Sequence, residues 1–228
     1  MTLFNDFMSL IYPRHCAACS NVLIEQEEFL CLNCENALPK GHQDFSNGRA
    51  VHDILAARVP LVQAKYLYTF EKSGKIQNII HAIKYQGRKE LAAYLGELMA
   101  KEFTNNPVLF DIIVPIPLHP KKIKKRGFNQ SEYFGSGIAK ALGKSMMLDN
   151  LIRKVETTTQ TKKKKYQRWE NVEGIFHLQN HESIQNKHVM LVDDVVTTGA
   201  TIEAAWQALK DVEGIKISVA SIAFAKKS

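Results

Sequence analysis

The chain has 228 residues, 45% hydrophobic and 23% charged, which suits one ordinary domain with a small appendage. No apolar run approaches the ~20 residues needed to cross a bilayer, so a membrane-spanning protein is excluded and a soluble globular one is expected. The formal net charge is +7, and KKIKKR (121–126) and KKKKYQR (162–168) together hold ten of the 30 Lys and Arg residues. Such clusters either solvate exposed loops or create a field for an anionic ligand, whether a polyphosphate or a nucleic acid.

The N-terminus opens with Leu3, Phe7, Leu10 and Ile11 at helical spacing, which predicts a short docking helix. It has neither a basic leader region nor a long apolar one, so no signal peptide and a cytoplasmic location are expected. All four cysteines follow at once: Cys16 and Cys19, eleven intervening residues, then Cys31 and Cys34. Two C-x-x-C knuckles supply four thiolates, the ligand set of a closed, tetrahedral structural zinc site. A disulfide pair suits a chain without a secretory leader less well, and a redox motif needs only one pair. His15 is read as a neighbour of the first knuckle.

Residues 39–50, PKGHQDFSNGRA, read as a linker. AKYLYTF (64–70) is then expected as a strand. Ile76, Ile79, Ile80 and Ile83 lie on one face of a helix that ends at Gly87, and a second helix covers 91–103. FDIIVPIP (110–117) is a buried strand stopped by prolines. A helix starts near Ser131. Strands at 147–154 and 173–178 flank a long basic loop. HVMLVDD (188–194) is a strand, ATIEAAWQALKD (200–211) a helix and IKISVASIAFA (215–225) a last strand. This alternation predicts an α/β domain with a mainly parallel sheet.

The sharpest signal is VMLVDDVVTTGAT (189–201): an apolar strand that ends in two carboxylates and opens into a helix. Ligands of open α/β sheets bind beyond the carboxyl ends of strands. Thr197, Thr198, Gly199, Ala200 and Thr201 can offer N–H groups and hydroxyls to one phosphate at the helix start. Asp193 and Asp194 would repel that phosphate but can accept hydrogen bonds from vicinal hydroxyls. Acids beside a phosphate cradle point to a sugar phosphate. The rival reading, the magnesium-binding strand of a P-loop NTPase, fails: GIAKALGKS (137–145) has five residues between its glycines and falls at a helix end.

These thirteen residues resemble the fingerprint with which type I phosphoribosyltransferases bind phosphoribosyl pyrophosphate (PRPP). With the double C-x-x-C segment, KYQG (84–87), VPIPLHP (114–120), RGFNQSE (126–132) and TQTKKKKYQRWENVEGIF (159–176), the chain resembles the ComF competence family over nearly its whole length. That resemblance implies a type I phosphoribosyltransferase fold, a mainly parallel sheet flanked by helices, at 46–228 and a small zinc-binding module at 1–45. Asp193 and Asp194 would bind the ribose hydroxyls of PRPP, and Thr197, Thr198, Gly199, Ala200 and Thr201 its 5′-phosphate. The loop after FDIIVPIP makes Pro117, Leu118 and His119 pyrophosphate candidates, with Arg126 and Asn129 close behind. Residues 156–172 match the family's mobile loop, which brings Lys162, Lys163, Lys164, Lys165 and Arg168 toward the leaving pyrophosphate.

Magnesium is expected with PRPP, and zinc as the structural metal. No convincing general base is found, with His81 and His119 the only central histidines, and an acceptor-recognising hood is expected at 35–100. The family resemblance implies a role in DNA uptake, with a competence helicase or other DNA-uptake protein as a partner. The alternatives are a phosphoribosyltransferase of nucleotide salvage and a direct single-stranded-DNA binder using Phe128, Tyr166 and Trp169 as stacking platforms.

Overall fold

A computed structural model of the chain describes residues 12–41, 54–71, 74–105, 109–154 and 174–225. Five strands form one parallel sheet in the order β1-β7-β6-β2-β3: β1 Leu61–Thr69, β2 Ile112–Pro115, β3 Ser145–Met146, β6 His188–Val196 and β7 Lys216–Phe224. The two longest inner strands are almost continuously buried, as a sheet covered on both faces requires. Their register stacks Val189 on Ile217 and Leu191 on Val219, and β2 continues the rows by placing Val114 beside Leu191.

Among the described residues the helices include α1 Leu32–Ala37, α2 Lys75–Tyr85, α3 Lys89–Asn105, α4 Pro120–Arg126, α5 Gln130–Leu142 and α6 Ala200–Leu209. One apolar cluster joins Val192, Ala220 and Ile222 of the sheet to Ile79 and Ile83 of α2, Leu91 and Leu95 of α3, and Phe134 and Ile138 of α5. A second, on the other face, gathers Leu191 and Val219 with Ile202 and Ala205 of α6 and with Leu55 and Val59. The expected alternation and parallel sheet are therefore present.

Two local expectations change. The strand expected at 147–154 is shorter: β4 is Leu151–Arg153, and it pairs antiparallel with β5, Phe176–Leu178, in a separate two-stranded sheet. KKIKKR is not a loop but most of α4. His119 caps it by accepting a hydrogen bond from Lys121 N, Pro120 stands in its first turn, and Gly127 ends it at φ 87°. The stretch assigned to a hood contributes the edge strand β1 and the covering helices α2 and α3.

α3 and α5 cross where two glycines meet. A Cβ on Gly137 would lie 1.9 Å from Ala93 O, and one on Gly96 would lie 2.1 Å from Phe134 O. Each helix thus presents bare backbone to the other, and no flexible side chain is there to yield. This contact holds α5 over the sheet, where its first turn reaches the end of β6.

The cysteine segment is packed on the same face as these helices. Its Cys16, Leu23, Leu30 and Leu38 belong to the first apolar cluster, and Phe29 meets Tyr94 of α3 with ring centroids 5.4 Å apart. Asn78 Nδ2 of α2 donates to Ala18 O at 2.9 Å, and Arg88 donates to His15 O at 3.2 Å. Pro39 O accepts from Thr69 N, and Lys40 bridges Tyr68, so the start of the expected linker runs beside the end of β1. The boundary expected at 45/46 lies outside the described residues.

Gly137→Ala is expected to lower unfolding free energy by at least ~2 kcal/mol, because the added methyl overlaps backbone at the helix crossing. Gly143→Ala serves as control: the site has φ 61° but open space around it, so only strain of about 1 kcal/mol is expected. Urea denaturation followed by circular dichroism reads both.

Candidate ligand-binding site at the end of the central strand

β6 is the middle strand of the sheet, and it carries Asp193 and Asp194 to its carboxyl end. They are 8% and 5% exposed, so both carboxylates are desolvated and need partners. Asp193 Oδ1 accepts from Ser131 Oγ at 3.1 Å and from the backbone N–H of Asp194 at 2.8 Å. Asp194 Oδ1 accepts from Val195 N at 2.7 Å, and its Oδ2 lies 2.6 Å from Lys84 Nζ. The partners come from the first turn of α5 and the last turn of α2. The stretches RGFNQSE and KYQG thereby meet the acidic strand end in space.

Burial raises the Asp193 carboxyl to about 7, aided by the negative charge of Asp194 and opposed by the Asp194 N–H, Lys84 and Ser131. Arg153, on β4, feels the Asp193 charge in turn, although burial is the larger influence and lowers its guanidinium. Lys84, Ser131 and Arg153 are absent from the set of residues singled out by sequence. Lys84 had one visible signal: it follows Ile80 by four residues and so borders the buried face of an amphipathic helix.

Beyond the acids, Thr197, Thr198 and Gly199 form a bend and α6 begins at Ala200. Gly199 has φ 78°, and a Cβ there would lie 2.3 Å from Leu55 Cδ2. Both its conformation and its neighbour therefore call for glycine. Thr198 Oγ1 accepts from Ala200 N at 3.4 Å, and Thr201 enters the first turn of the helix. A ten-residue helix whose start faces the end of the acidic strand provides N–H dipoles suited to a phosphate.

The residues after β2 divide by role. Pro117 and Leu118 lead from the strand toward His119, whose imidazole is engaged as the α4 cap. Asn129 is buried and uses its side chain internally: Nδ2 donates to Ile116 O at 3.1 Å, and Oδ1 accepts from Ser131 N at 3.2 Å. It ties the end of β2 to the start of α5, and so helps place Ser131 against Asp193. Arg126 is hydrogen-bonded to Gln130 and stands 5.9 Å over the ring of Tyr85. Tyr85 is 67% exposed and also meets the His81 ring at 4.9 Å. Lys162, Lys163, Lys164, Lys165 and Arg168, with Tyr166 and Trp169, lie outside the described residues.

Cys16, Cys19, Cys31 and Cys34 converge so that their four sulfurs lie within 4.8 Å of one another. A tetrahedral ion with metal–sulfur bonds of about 2.3 Å sets its sulfurs ~3.8 Å apart. Cys19 and Cys31 already stand at 3.7 Å. Burial opposes ionisation of Cys16, but N–H groups of Cys31, Ala18 and Cys19 prevail and lower its thiol to about 7. Burial and the neighbouring cysteines push Cys34 up to about 12. The group can hold a metal ion. His15 instead pairs its Nδ1 with Ser20 O at 2.9 Å.

Comparison with known proteins adds the lineage. A model described as phosphoribosyl transferase domain matches residues 129–228. The DNA utilization protein YhgH of Salmonella typhi is 30% identical over 200 residues, which cover 85% of this chain and 83% of that protein. The competence protein ComFC of Bacillus subtilis is 29% identical over 214 residues, covering 87% and 85% respectively. Among solved structures, an adenine phosphoribosyl transferase from Trypanosoma brucei superposes with a TM-score of 0.42 at 15% identity, over 69% of this chain and 71% of that one. Similarity to these curated relatives thus extends over most of the chain, and the chain belongs to the ComF family of competence and DNA utilization proteins, built on the type I phosphoribosyltransferase fold.

Proposed function

We propose that this protein binds PRPP at the end of β6 and acts through that site in the handling of incoming DNA. The observation that carries the reading is the buried acid pair continuing without a break into the glycine turn and the start of α6. A ribose 5-phosphate moiety has matching chemistry, with a diol for the acids and a phosphate for residues 197–201. In this reading Asp193 accepts from a ribose hydroxyl, Thr198 and Thr201 with the α6 N–H groups hold the 5′-phosphate, and Arg126 faces the pyrophosphate. The curated relatives named for competence and DNA utilization support the cellular role.

Both acids already have protein partners, so magnesium is expected to arrive on the oxygens of the ligand. When bound, it offsets charge on a departing pyrophosphate. In a transfer reaction the C1–oxygen bond breaks, pyrophosphate leaves with the electron pair, and an acceptor closes on C1. The protein's share is positioning and electrostatic stabilisation. For the cysteine group we propose structural zinc, since four thiolates close the coordination shell.

Calorimetric titration of the zinc-loaded protein with PRPP and Mg²⁺ is expected to show saturable binding. Asp193→Asn/Asp194→Asn is expected to weaken it at least ~100-fold, through loss of two charge-assisted hydrogen bonds. A folded wild-type protein that binds no PRPP overturns the reading, and the lysine-rich α4 beside exposed Tyr85 then becomes the surface to titrate with single-stranded DNA.

The raised Asp193 carboxyl makes binding depend on pH, since the diol needs the ionised acceptor. Affinity is expected to fall by roughly tenfold between pH 8 and pH 6, as the group protonates through its value of about 7. Stability of the unliganded protein runs the other way. A carboxyl raised above its usual 3.8 favours the folded state most below that value and loses the contribution as pH rises through about 7. Thermal melts and titrations across pH 5–8 are expected to show opposite slopes from this group.

Elemental analysis is expected to find one zinc per chain. Cys34→Ser, or chelation, is expected to lower the melting temperature by at least ~5 °C, because the cysteine segment shares its apolar cluster with α2 and α3. A melting temperature unchanged by complete metal removal excludes a structural role for the ion.

A further inference from the structure

We propose that Lys84 is a latch on the site: its ammonium occupies Asp194 in the unliganded protein and swings away when a ribose diol takes that carboxylate. The proposal rests on the ribose-binding reading above and assigns to that site a positioning residue outside the phosphoribosyltransferase fingerprint.

Both oxygens of Asp194 are taken. Oδ1 accepts from Val195 N, while Oδ2, with essentially no surface of its own exposed, lies 2.6 Å from Lys84 Nζ as an ion pair without hydrogen-bond geometry. While Lys84 stays in place, no hydroxyl can reach that oxygen. The Lys84 side chain, by contrast, is still 22% exposed against 7% for Asp194, so it is not sealed in as the carboxylate is. Tyr85, next along the helix, is an exposed ring between His81 and Arg126.

The helix under Lys84 has no freedom to move with it. Ile76, Ile79, Ile80 and Ile83 are buried, Asn78 is bound to Ala18 O and Arg88 to His15 O. Opening is therefore a rotation of the four-carbon stem, on the time scale of a side chain and not of a domain. Because the Lys84 side chain is partly exposed, its release costs less than breaking a fully buried pair, and the hydroxyls that donate to the desolvated carboxylate take its place. The exchange of partners thus runs downhill when the diol arrives. The latch also answers why a buried second acid is tolerated before any ligand is present: Lys84 holds its charge.

The test uses ribose 5-phosphate, less charged than PRPP, and is run at 1 M salt, where a Debye length of ~3 Å screens the attraction between Lys84 and the phosphate. Lys84→Gln removes the ammonium and keeps a polar side chain. It is expected to bind ribose 5-phosphate about fivefold more tightly than wild type, the equivalent of ~1 kcal/mol. Lys84→Arg, which can hold the carboxylate with two donors, is expected to bind no more tightly than wild type.

In the wild-type protein, an amine-reactive label mapped by mass spectrometry is expected to modify Lys84 faster once ribose 5-phosphate is bound. An ion pair with a purely structural role leaves that rate unchanged. Folded Lys84→Gln with equal or weaker affinity overturns the latch. Should Lys84→Gln not fold, a wild-type labelling rate that stays level or falls with ligand overturns it equally. Where neither PRPP nor ribose 5-phosphate binds wild type or variant, the ribose-binding reading itself fails, and the latch falls with it; where PRPP binds wild type and the latch signatures are missing, only the latch fails.

Discussion

Two adjacent carboxylates buried at the end of the central strand are the constraint around which the molecule is arranged. Ions in such a position are tolerated only when other elements deliver compensating charge and hydrogen bonds. α2 delivers Lys84 to Asp194, α5 delivers Ser131 to Asp193, and β4 brings Arg153 within the field of Asp193. None of these elements adjoins β6 in sequence. Their placement depends on the glycine crossing of α3 and α5, on Asn129 tying β2 to α5, and on the ties between α2 and the cysteine segment.

The same constraint explains the site's electrostatics. The carboxylates are poised unequally: Asp194 is paired with a cation, while Asp193 relies on hydrogen bonds and is driven up by burial and by its neighbour. An acid that gives up its proton reluctantly suits an acceptor of hydroxyl hydrogens, since the ionised form gains most when a donor arrives. The turn into α6 is built differently. There Gly199, Thr198 and the opening of α6 offer neutral dipoles, and Leu55 fills the space that a side chain at position 199 would claim.

What could be read from sequence followed from how local the signal was. The strand–acid–glycine–helix order from Val189 to Thr201 is contiguous, and the structure keeps it contiguous. The cysteine spacing likewise announced a cluster, because two short knuckles need only one turn of chain between them to converge. α4 was misread although its signals were local: KKIKKR has a single apolar residue, so periodicity was silent, while the His119–Pro120 start and the Gly127 stop went unweighted. Lys84 and Ser131 lie in stretches the sequence did mark, KYQG and RGFNQSE, but their roles, like that of Arg153, were not legible for a different reason. A lysine near the end of an amphipathic helix looks solvated until the fold places a buried carboxylate opposite, and no periodicity encodes that meeting. The pairing of Gly96 with Gly137 is hidden in the same way, because each glycine alone reads as an ordinary weak point in a helix.

The contact between residues 39–40 and the end of β1 has a consequence for solubility. β1 is an outermost strand of the sheet, and its outward backbone groups are a template on which another chain can add a strand. Pro39 O and Lys40 engage that margin at Thr69 and Tyr68, directly after the cysteine segment whose apolar residues lie against α3. The segment thus serves as a hem, closing the raw border of the sheet where it meets the helices. A ComF-type chain that loses its cysteine fold without losing its sheet would expose both a strand margin and an apolar face, and would become prone to self-association.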